Sequence, residues 1–127
     1  MATVLFIGPR NHLDLVSKLA TQHAVRHVSD EGLALNHVYN NGWSEDMLRK
    51  FGQSRYDLIL YDSKAFFDKA NPTEAGRIFS DEFLGYLERV ANVPVVVLGG
   101  EPKAMRVIVG PNYNINQLMA IINFSLN

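Results

Sequence analysis

The stretch YDLILYDSK, Tyr56 to Lys64, carries the clearest structural signal in the chain. Its residues Leu58–Tyr61 are consecutively apolar, and Asp62 follows them directly. A short apolar run without alternation is typical of a β-strand that is covered on both faces, as in a parallel sheet. Asp62 therefore stands at the carboxyl end of a buried strand. It is either a reactive carboxylate or a polar residue that closes the strand by capping the next turn.

Two further runs have the same character, VLFI at Val4–Ile7 and VVVL at Val95–Leu98. AVRHV at Ala24–Val28 and RVIV at Arg106–Val109 are weaker strand candidates. Together with Leu58–Tyr61, these segments predict a sheet whose strands are buried on both sides.

Segments with helical spacing lie between these strands. Ser44 and Ser80 stand at N-cap positions before two such segments, and either Asn114 or Asn116 opens the last one. The apolar positions that recur at helical spacing are Leu13, Val16 and Leu19; Met47, Leu48 and Phe51; Phe83, Leu84, Leu87 and Val90; and Leu118, Ile121 and Ile122.

The alternation of buried strands with amphipathic helices predicts an α/β fold, since parallel strands need crossover connections. We expect a flavodoxin-like three-layer sandwich with a five-stranded parallel sheet of order 2-1-3-4-5. The short connection Gly99–Met105 predicts a shortened or missing fourth helix. The sequence predicts long connections at Ser29–Gly42 and Ser63–Phe79. The length of the chain predicts a single domain over residues 1–127.

The composition narrows the possible functions. The 127 residues carry a net charge of −1, which argues against direct nucleic-acid binding and against binding to an anionic membrane. There is no cysteine, so disulfides and thiolate metal sites are excluded. The apolar runs are too short for a signal peptide or a membrane span. We expect a cytoplasmic protein without a membrane partner.

In open α/β sheets, ligands gather at the carboxyl ends of the strands. The residues that follow the strands are Gly8–Arg10, Asp62–Lys64, Gly99–Gly100 and Gly110–Pro111. None of them forms a phosphate-binding glycine motif, although backbone amides after Gly8 could hold an anion. The four histidines lack metal-ligand spacing, so we expect surface histidines and no metal or cofactor; they are His12, His23, His27 and His37.

The buried third strand ending in Asp62, the five-strand alternation, VPVVVLGG at 93–100 and a last strand followed by Pro111 resemble the response-regulator receiver (CheY-like) domain. In receivers, the aspartate at this position accepts a phosphoryl group from a histidine kinase. The resemblance implies that two acidic residues after the first strand hold Mg²⁺. It also implies a hydroxyl after the fourth strand and a lysine after the fifth, which bind the phosphoryl oxygens.

The chain departs from that pattern at four positions. Gly8 and Pro9 stand where the acidic pair is expected, Gly99 replaces the hydroxyl, and Gly110 replaces the lysine. A lone Asp62 supplies neither a tight Mg²⁺ site nor phosphoryl contacts. The resemblance thus implies a degenerate receiver in which Asp62 is vestigial and nothing is catalytic.

The tail of the chain resembles a narrower group. Gly100-Glu101-Pro102, followed by Pro111, Tyr113 and Asn114, is similar to the atypical receiver of FleQ-type flagellar master regulators. Those are NtrC-like AAA+ transcription activators. The resemblance implies a regulatory role in sigma-54-dependent transcription, with the other domains of an activator or signalling protein as partners.

We therefore expect a non-phosphorylated pseudo-receiver that acts by protein–protein contact as a homodimer. The last helix has more apolar residues than one buried stripe needs, which makes Leu118, Met119, Ile122 and Phe124 candidate interface residues. The alternatives are a nucleotide or anion sensor at the strand ends, and a receiver still phosphorylated on Asp62. One aromatic group is either core or partner surface; it comprises Trp43, Phe66, Phe67, Phe79, Phe83 and Tyr86.

Overall fold

A computed structural model describes residues 2–8, 13–29, 31–62, 85–87, 89, 93–98, 107–109 and 114–126. Residues 85–87 and 89 are helical. The strands are β1 (Thr3–Ile7), β2 (Ala24–Val28), β3 (Leu58–Asp62), β4 (Val95–Leu98) and β5 (Val107–Val109), and the helices are α1 (Leu13–Ala20), α2 (Glu31–Asn40), α3 (Glu45–Lys50) and α4 (Ile115–Leu126).

The strands form one sheet in which every neighbouring pair is parallel. Most of it consists of four strands in the order β2-β1-β3-β4, and the three-residue β5 extends it beside β4. The predicted parallel α/β layout is confirmed. The segment Gly99–Met105, predicted to lack a full helix, lies outside the described residues, as does the predicted cap Ser80.

The central strands are buried on both faces, which explains why their sequences do not alternate. In β3, Ile59 and Tyr61 pack on one face, while Leu58 and Leu60 pack on the other. α1 and α4 cover the second face, and α2 covers the first. The two clusters contain Leu5, Ile7, Val28, Ala34, Val38, Tyr56, Ile59, Tyr61, Leu87 and Val97 on the first face and Val4, Phe6, Leu15, Leu19, Leu58, Leu60, Val96, Leu98, Leu118, Met119 and Ile122 on the second.

Two helix starts follow the predicted capping chemistry. The Ser44 hydroxyl accepts a hydrogen bond from the Met47 amide at 3.3 Å and begins α3. At α4, Asn114 Oδ1 accepts from the Asn116 amide at 2.8 Å. Of the two candidate asparagines, Asn114 is therefore the residue that precedes the helix.

Helix α2 corrects the expectation of a long loop at Ser29–Gly42. Ala34 and Val38, one helical turn apart, are buried, whereas Leu33 is 55% exposed. The buried face of the helix thus contains the small residue Ala34, whereas the larger Leu33 is exposed to solvent. Because of this, the apolar residues do not show a clear helical spacing in the sequence.

Helix α4 corrects three of the four candidate interface positions. Leu118, Met119 and Ile122 belong to the core beneath the helix and are at most 4% exposed. These side chains fill the sheet face and are not available to a second protein. Phe124 remains in solvent. Within the described ranges, no helix is both long and apolar enough to cross a bilayer.

The entry into β3 is held by a buried asparagine. Asn41 follows α2 and is 4% exposed. Its Oδ1 accepts a hydrogen bond from the Tyr56 amide at 2.8 Å, and its Nδ2 donates to the Tyr56 carbonyl at 3.4 Å. Asn41 therefore satisfies both backbone polar groups of Tyr56, just before the strand begins.

Beside this contact, the Tyr56 hydroxyl lies 2.8 Å from Nδ1 of His37. Burial, assisted by the charge of Arg26, lowers the pKa of His37. Burial likewise raises the pKa of Tyr56, against a smaller opposing effect of Arg26. Both groups are thus neutral near pH 7, and the tautomer of His37 sets which of them donates: Tyr56 donates to Nδ1 when Nε2 carries the ring proton, and Nδ1 donates to the Tyr56 oxygen in the other tautomer.

We expect His37→Gln to reduce the loss of stability in mild acid. The pKa of His37 lies below its usual value of 6.5, so the unfolded chain takes up a proton more readily than the folded one. The stability that comes from keeping His37 neutral is fully present above pH 6.5. It is lost as the pH falls from 6.5 towards the pKa of His37 in the folded chain. Urea unfolding at about pH 7.5 and pH 5.5 measures it. If the parent chain and the variant lose the same free energy of unfolding between these two pH values, the lowered pKa of His37 is contradicted.

Candidate functional site

The carboxyl ends of β1 and β3 lie side by side. Ile7 pairs with Tyr61, so the next residues along the two strands, Gly8 and Asp62, are neighbours. On its other side, Asp62 pairs with Leu98 of β4. Asp62 is the last residue of β3 and is 6% exposed. The predicted position of this carboxylate at a strand end is confirmed.

The ring of Phe6 fills the space beside Gly8. A Cβ atom on Gly8 would lie 2.7 Å from Cζ of Phe6 and 3.2 Å from both Cε atoms. Phe6 is completely buried in the core cluster between the sheet, α1 and α4. A close-packed aromatic ring has little room to move aside. The position is therefore shaped for glycine, and any side chain there must displace the ring.

His27 completes this end of β1. Its Nε2 donates a hydrogen bond to the Gly8 carbonyl at 2.9 Å, and its ring centre lies 4.9 Å from that of Phe6. The Gly8 amide donates to the Val28 carbonyl at 3.1 Å. Both polar backbone groups of Gly8 are thus used by β2, which leaves its amide unavailable to an anion.

These contacts do not fit the Mg²⁺ site that the receiver pattern implies. Position 8 offers no carboxylate, its side-chain space is occupied by Phe6, and Nε2 of His27 carries a proton instead of a free lone pair. Among the described residues, no three His, Asp or Glu side chains are grouped as metal ligands. Pro9, Gly99 and Gly110 lie outside the described residues. The described residues at this end of the sheet therefore do not supply the metal ligands that phosphoryl transfer needs.

The histidines are structural, which corrects the expectation of scattered surface side chains. Nδ1 of His23 accepts from the Ala2 amide at 3.3 Å, and its Nε2 donates to Oδ1 of Asn123 at 2.9 Å. His27 and His37 are also partly buried and hydrogen-bonded. Each links segments far apart in sequence, which single-sequence spacing does not reveal. His12 lies outside the described residues.

The aromatic residues divide between core and surface. Tyr86 is half-buried and packs against the first core cluster. Trp43 contacts Phe51, with ring centres 5.3 Å apart, and Phe51 is 65% exposed. The remaining members lie outside the described residues; they are Phe66, Phe67, Phe79 and Phe83.

No protein-family model matches the chain, and no curated protein matches it. Solved structures do match the chain. A response regulator receiver modulated diguanylate cyclase from Pelobacter carbinolicus has 16% identity and a TM-score of 0.58, over 99% of this chain and 96% of that one. The N-terminal domain of a response regulator/sensory box/GGDEF 3-domain protein from Carboxydothermus hydrogenoformans has 16% identity and a TM-score of 0.55, over 98% and 93%. The chain has the fold of receiver domains.

This likeness extends over nearly the whole chain and agrees with a flavodoxin-like sheet. It supports the receiver resemblance found in the sequence at the level of the fold. Within that fold, Asp62 occupies the end of the third strand, and Gly8 is the residue beside it at the end of the first. The chemistry of this pair distinguishes the chain from a receiver that keeps its acidic residues.

Proposed function

We propose that this chain is a regulatory domain of receiver type that has lost phosphotransfer. It works by protein–protein contact as a homodimer in the cytoplasm. The observation that carries the proposal is the Phe6 ring 2.7 Å from the Cβ position of Gly8. A receiver needs an acidic side chain where this ring leaves room only for glycine, so Asp62 lacks the metal that would neutralise an incoming phosphoryl group.

We expect the protein to remain unmodified when incubated with acetyl phosphate and Mg²⁺. The physical reason is that position 8 supplies no carboxylate to help hold a Mg²⁺, which would offset the repulsion between the Asp62 carboxylate and the phosphoryl oxygens. Intact mass spectrometry measures the outcome, and a receiver with its full set of acidic residues, treated in parallel, controls for the reagent. A phosphoryl mass gain that disappears in Asp62→Ala would show that the domain is still a phosphoacceptor.

The dimer proposal rests on Phe124. This side chain is 83% exposed near the end of α4, the largest exposure among the large apolar side chains described. Burying a phenyl ring of this size contributes about 1.5–3 kcal/mol. A second copy of the chain offers the same ring, and a two-fold interface would bring the two together. Ile121, half-buried three residues before Phe124 on the same helix, would extend the contact.

Phe124→Asp should convert the dimer into a monomer. The change removes the apolar anchor and places two like charges opposite each other across a two-fold axis. Light scattering coupled to size exclusion, at high protein concentration, measures the mass. Phe51→Asp is the matched control, because Phe51 is 65% exposed and directly follows α3, outside α4. A monomeric parent protein would refute the role of Phe124. An equal loss of the dimer in Phe124→Asp and Phe51→Asp would also refute it.

A narrower proposal concerns the larger assembly. We propose that the domain regulates an NtrC-like AAA+ activator of FleQ type, with the other domains of that activator as its partners. The support is the sequence likeness at Gly100-Glu101-Pro102 and at Pro111, Tyr113 and Asn114. The coding sequence beyond the codon for Asn127 tests this directly. An AAA+ segment there would support it, and a GGDEF segment would favour a cyclase-linked receiver.

A further inference from the structure

A cleft lies near the opposite end of the sheet from Asp62. It has a volume of about 280 Å³ and lies between the edge strand β2, the residues that precede β3, and the turn that follows α3. Gly52 makes that turn with φ of +70°, a conformation that favours glycine. The lining residues used below are Arg26, His37, Phe51, Gln53 and Tyr56, and none of the described residues that line the cleft is Asp or Glu.

Two groups in this cleft have no acceptor among the described residues. Arg26 projects from β2 and is exposed, and no carboxylate among the described residues forms an ion pair with it. No hydrogen bond in the described part of the chain uses Nε2 of His37, and this nitrogen is a donor in the tautomer whose Nδ1 accepts from the Tyr56 hydroxyl. The side chain of Gln53 is held between Asn40 and the His37 carbonyl, which fixes one wall.

Among the described residues that line the cleft, Arg26 carries the formal charge. Arg26 shares the lining of the cleft with His37 and Tyr56, and its positive charge acts to lower the pKa of both. Phe51 adds an apolar surface to the same cleft, and its ring is braced by Trp43 at 5.3 Å between centres. A positive charge, a second donor and an aromatic face together match a ligand that carries an anionic group on a planar ring.

We propose that this cleft is a binding site for a small aromatic anion. The phosphate or carboxylate group of the ligand accepts hydrogen bonds from the guanidinium of Arg26 and from Nε2 of His37. The planar part of the ligand lies against the ring of Phe51. The volume suits a ligand near the lower end of the usual range for small-molecule sites, about 300 Å³. The site is separate from the Asp62 end of the sheet, so it does not depend on whether Asp62 is phosphorylated.

Titration with phenyl phosphate, followed by ¹H–¹⁵N NMR of the whole chain, tests the proposal. We expect saturable shifts at Arg26, His37, Gln53 and Tyr56, and none at Gly8 or Asp62. Inorganic phosphate, which lacks the ring, should bind at least fivefold more weakly, and benzyl alcohol, which lacks the charge, should not bind. Shifts confined to the Asp62 end, or no saturable shifts, would overturn the proposal.

Variants identify the groups responsible. Arg26→Gln should weaken phenyl phosphate binding at least tenfold, whereas Arg49→Gln, which removes an exposed cation of α3 outside the cleft, should leave it unchanged. Phe51→Ser should reduce phenyl phosphate binding to the level of inorganic phosphate. All three side chains are exposed, so thermal unfolding should show intact folds. Equal losses in Arg26→Gln and Arg49→Gln would mean only non-specific attraction to positive charge, and would overturn the proposal.

Discussion

Gly8→Ala lowers the free energy of unfolding by about 1–3 kcal/mol, and Gly8→Asp lowers it further. The alanine Cβ would approach Cζ of Phe6 to 2.7 Å, a distance that real Cβ atoms do not adopt, so the buried ring must move. Aspartate adds the cost of removing a carboxylate from water at a buried position. Urea unfolding followed by circular dichroism measures both variants.

Two comparisons isolate the cause. Gly42→Ala is the matched control, because its Cβ would meet only the Tyr39 carbonyl at an ordinary 3.5 Å. In Phe6→Leu/Gly8→Ala the ring that causes the collision is absent, so the double variant should lose less stability than the sum of the two single variants. Strict additivity, or an equal cost in Gly42→Ala, would show that the Phe6 contact does not limit position 8.

The contact between Phe6 and Gly8 also bears on the proposed loss of phosphotransfer. Returning an acidic residue to position 8 would not by itself rebuild a metal site, because the core residue Phe6 occupies the space and His27 is bonded to the Gly8 carbonyl. A metal site here would thus require changes at three positions, Phe6, Gly8 and His27. The core cluster on the second face and the site are one packing unit at this end of the sheet.

The buried strands could be predicted from sequence because burial on both faces leaves a simple signature, an unbroken apolar run. Leu58–Tyr61 and Val95–Leu98 appear as strands with little change in bounds. Asp62 could be placed at a strand end for the same reason. Ser44 could be predicted as a cap because capping chemistry involves residues only three positions apart.

What could not be predicted depends on contacts between distant segments. The sequence does not reveal that Phe6 packs over Gly8, or that His27 reaches across from the neighbouring strand. Nor does it separate the buried Leu118 from the exposed Phe124, since both are apolar residues of one helix and only the packing against the sheet distinguishes them. Sequence periodicity describes one element at a time, whereas a site is formed by several.

Asn41→Ala should lower the free energy of unfolding by about 2–3 kcal/mol. Asn41 is an example of a residue whose role sequence cannot show, since a lone asparagine after a helix is typical of an ordinary turn. Its side chain satisfies the amide and the carbonyl of Tyr56, fifteen residues away and 4% exposed. Alanine leaves that buried amide without its 2.8 Å acceptor, and a buried unsatisfied donor costs more than the bond contributed.

The neighbouring Asn40→Ala provides a matched control. The Asn40 side chain is only half-buried, and the one hydrogen bond that it makes to the described residues is long, 3.4 Å to Oε1 of Gln53, so its loss should change stability by no more than about 0.5 kcal/mol. Amide hydrogen exchange adds a local readout. In Asn41→Ala the Tyr56 amide should exchange faster than the global loss of stability accounts for, because the start of β3 opens without its side-chain acceptor. If that amide stays protected, or if the two alanine variants are equally stable, the Asn41 side chain does not hold the entry of the strand that ends in Asp62.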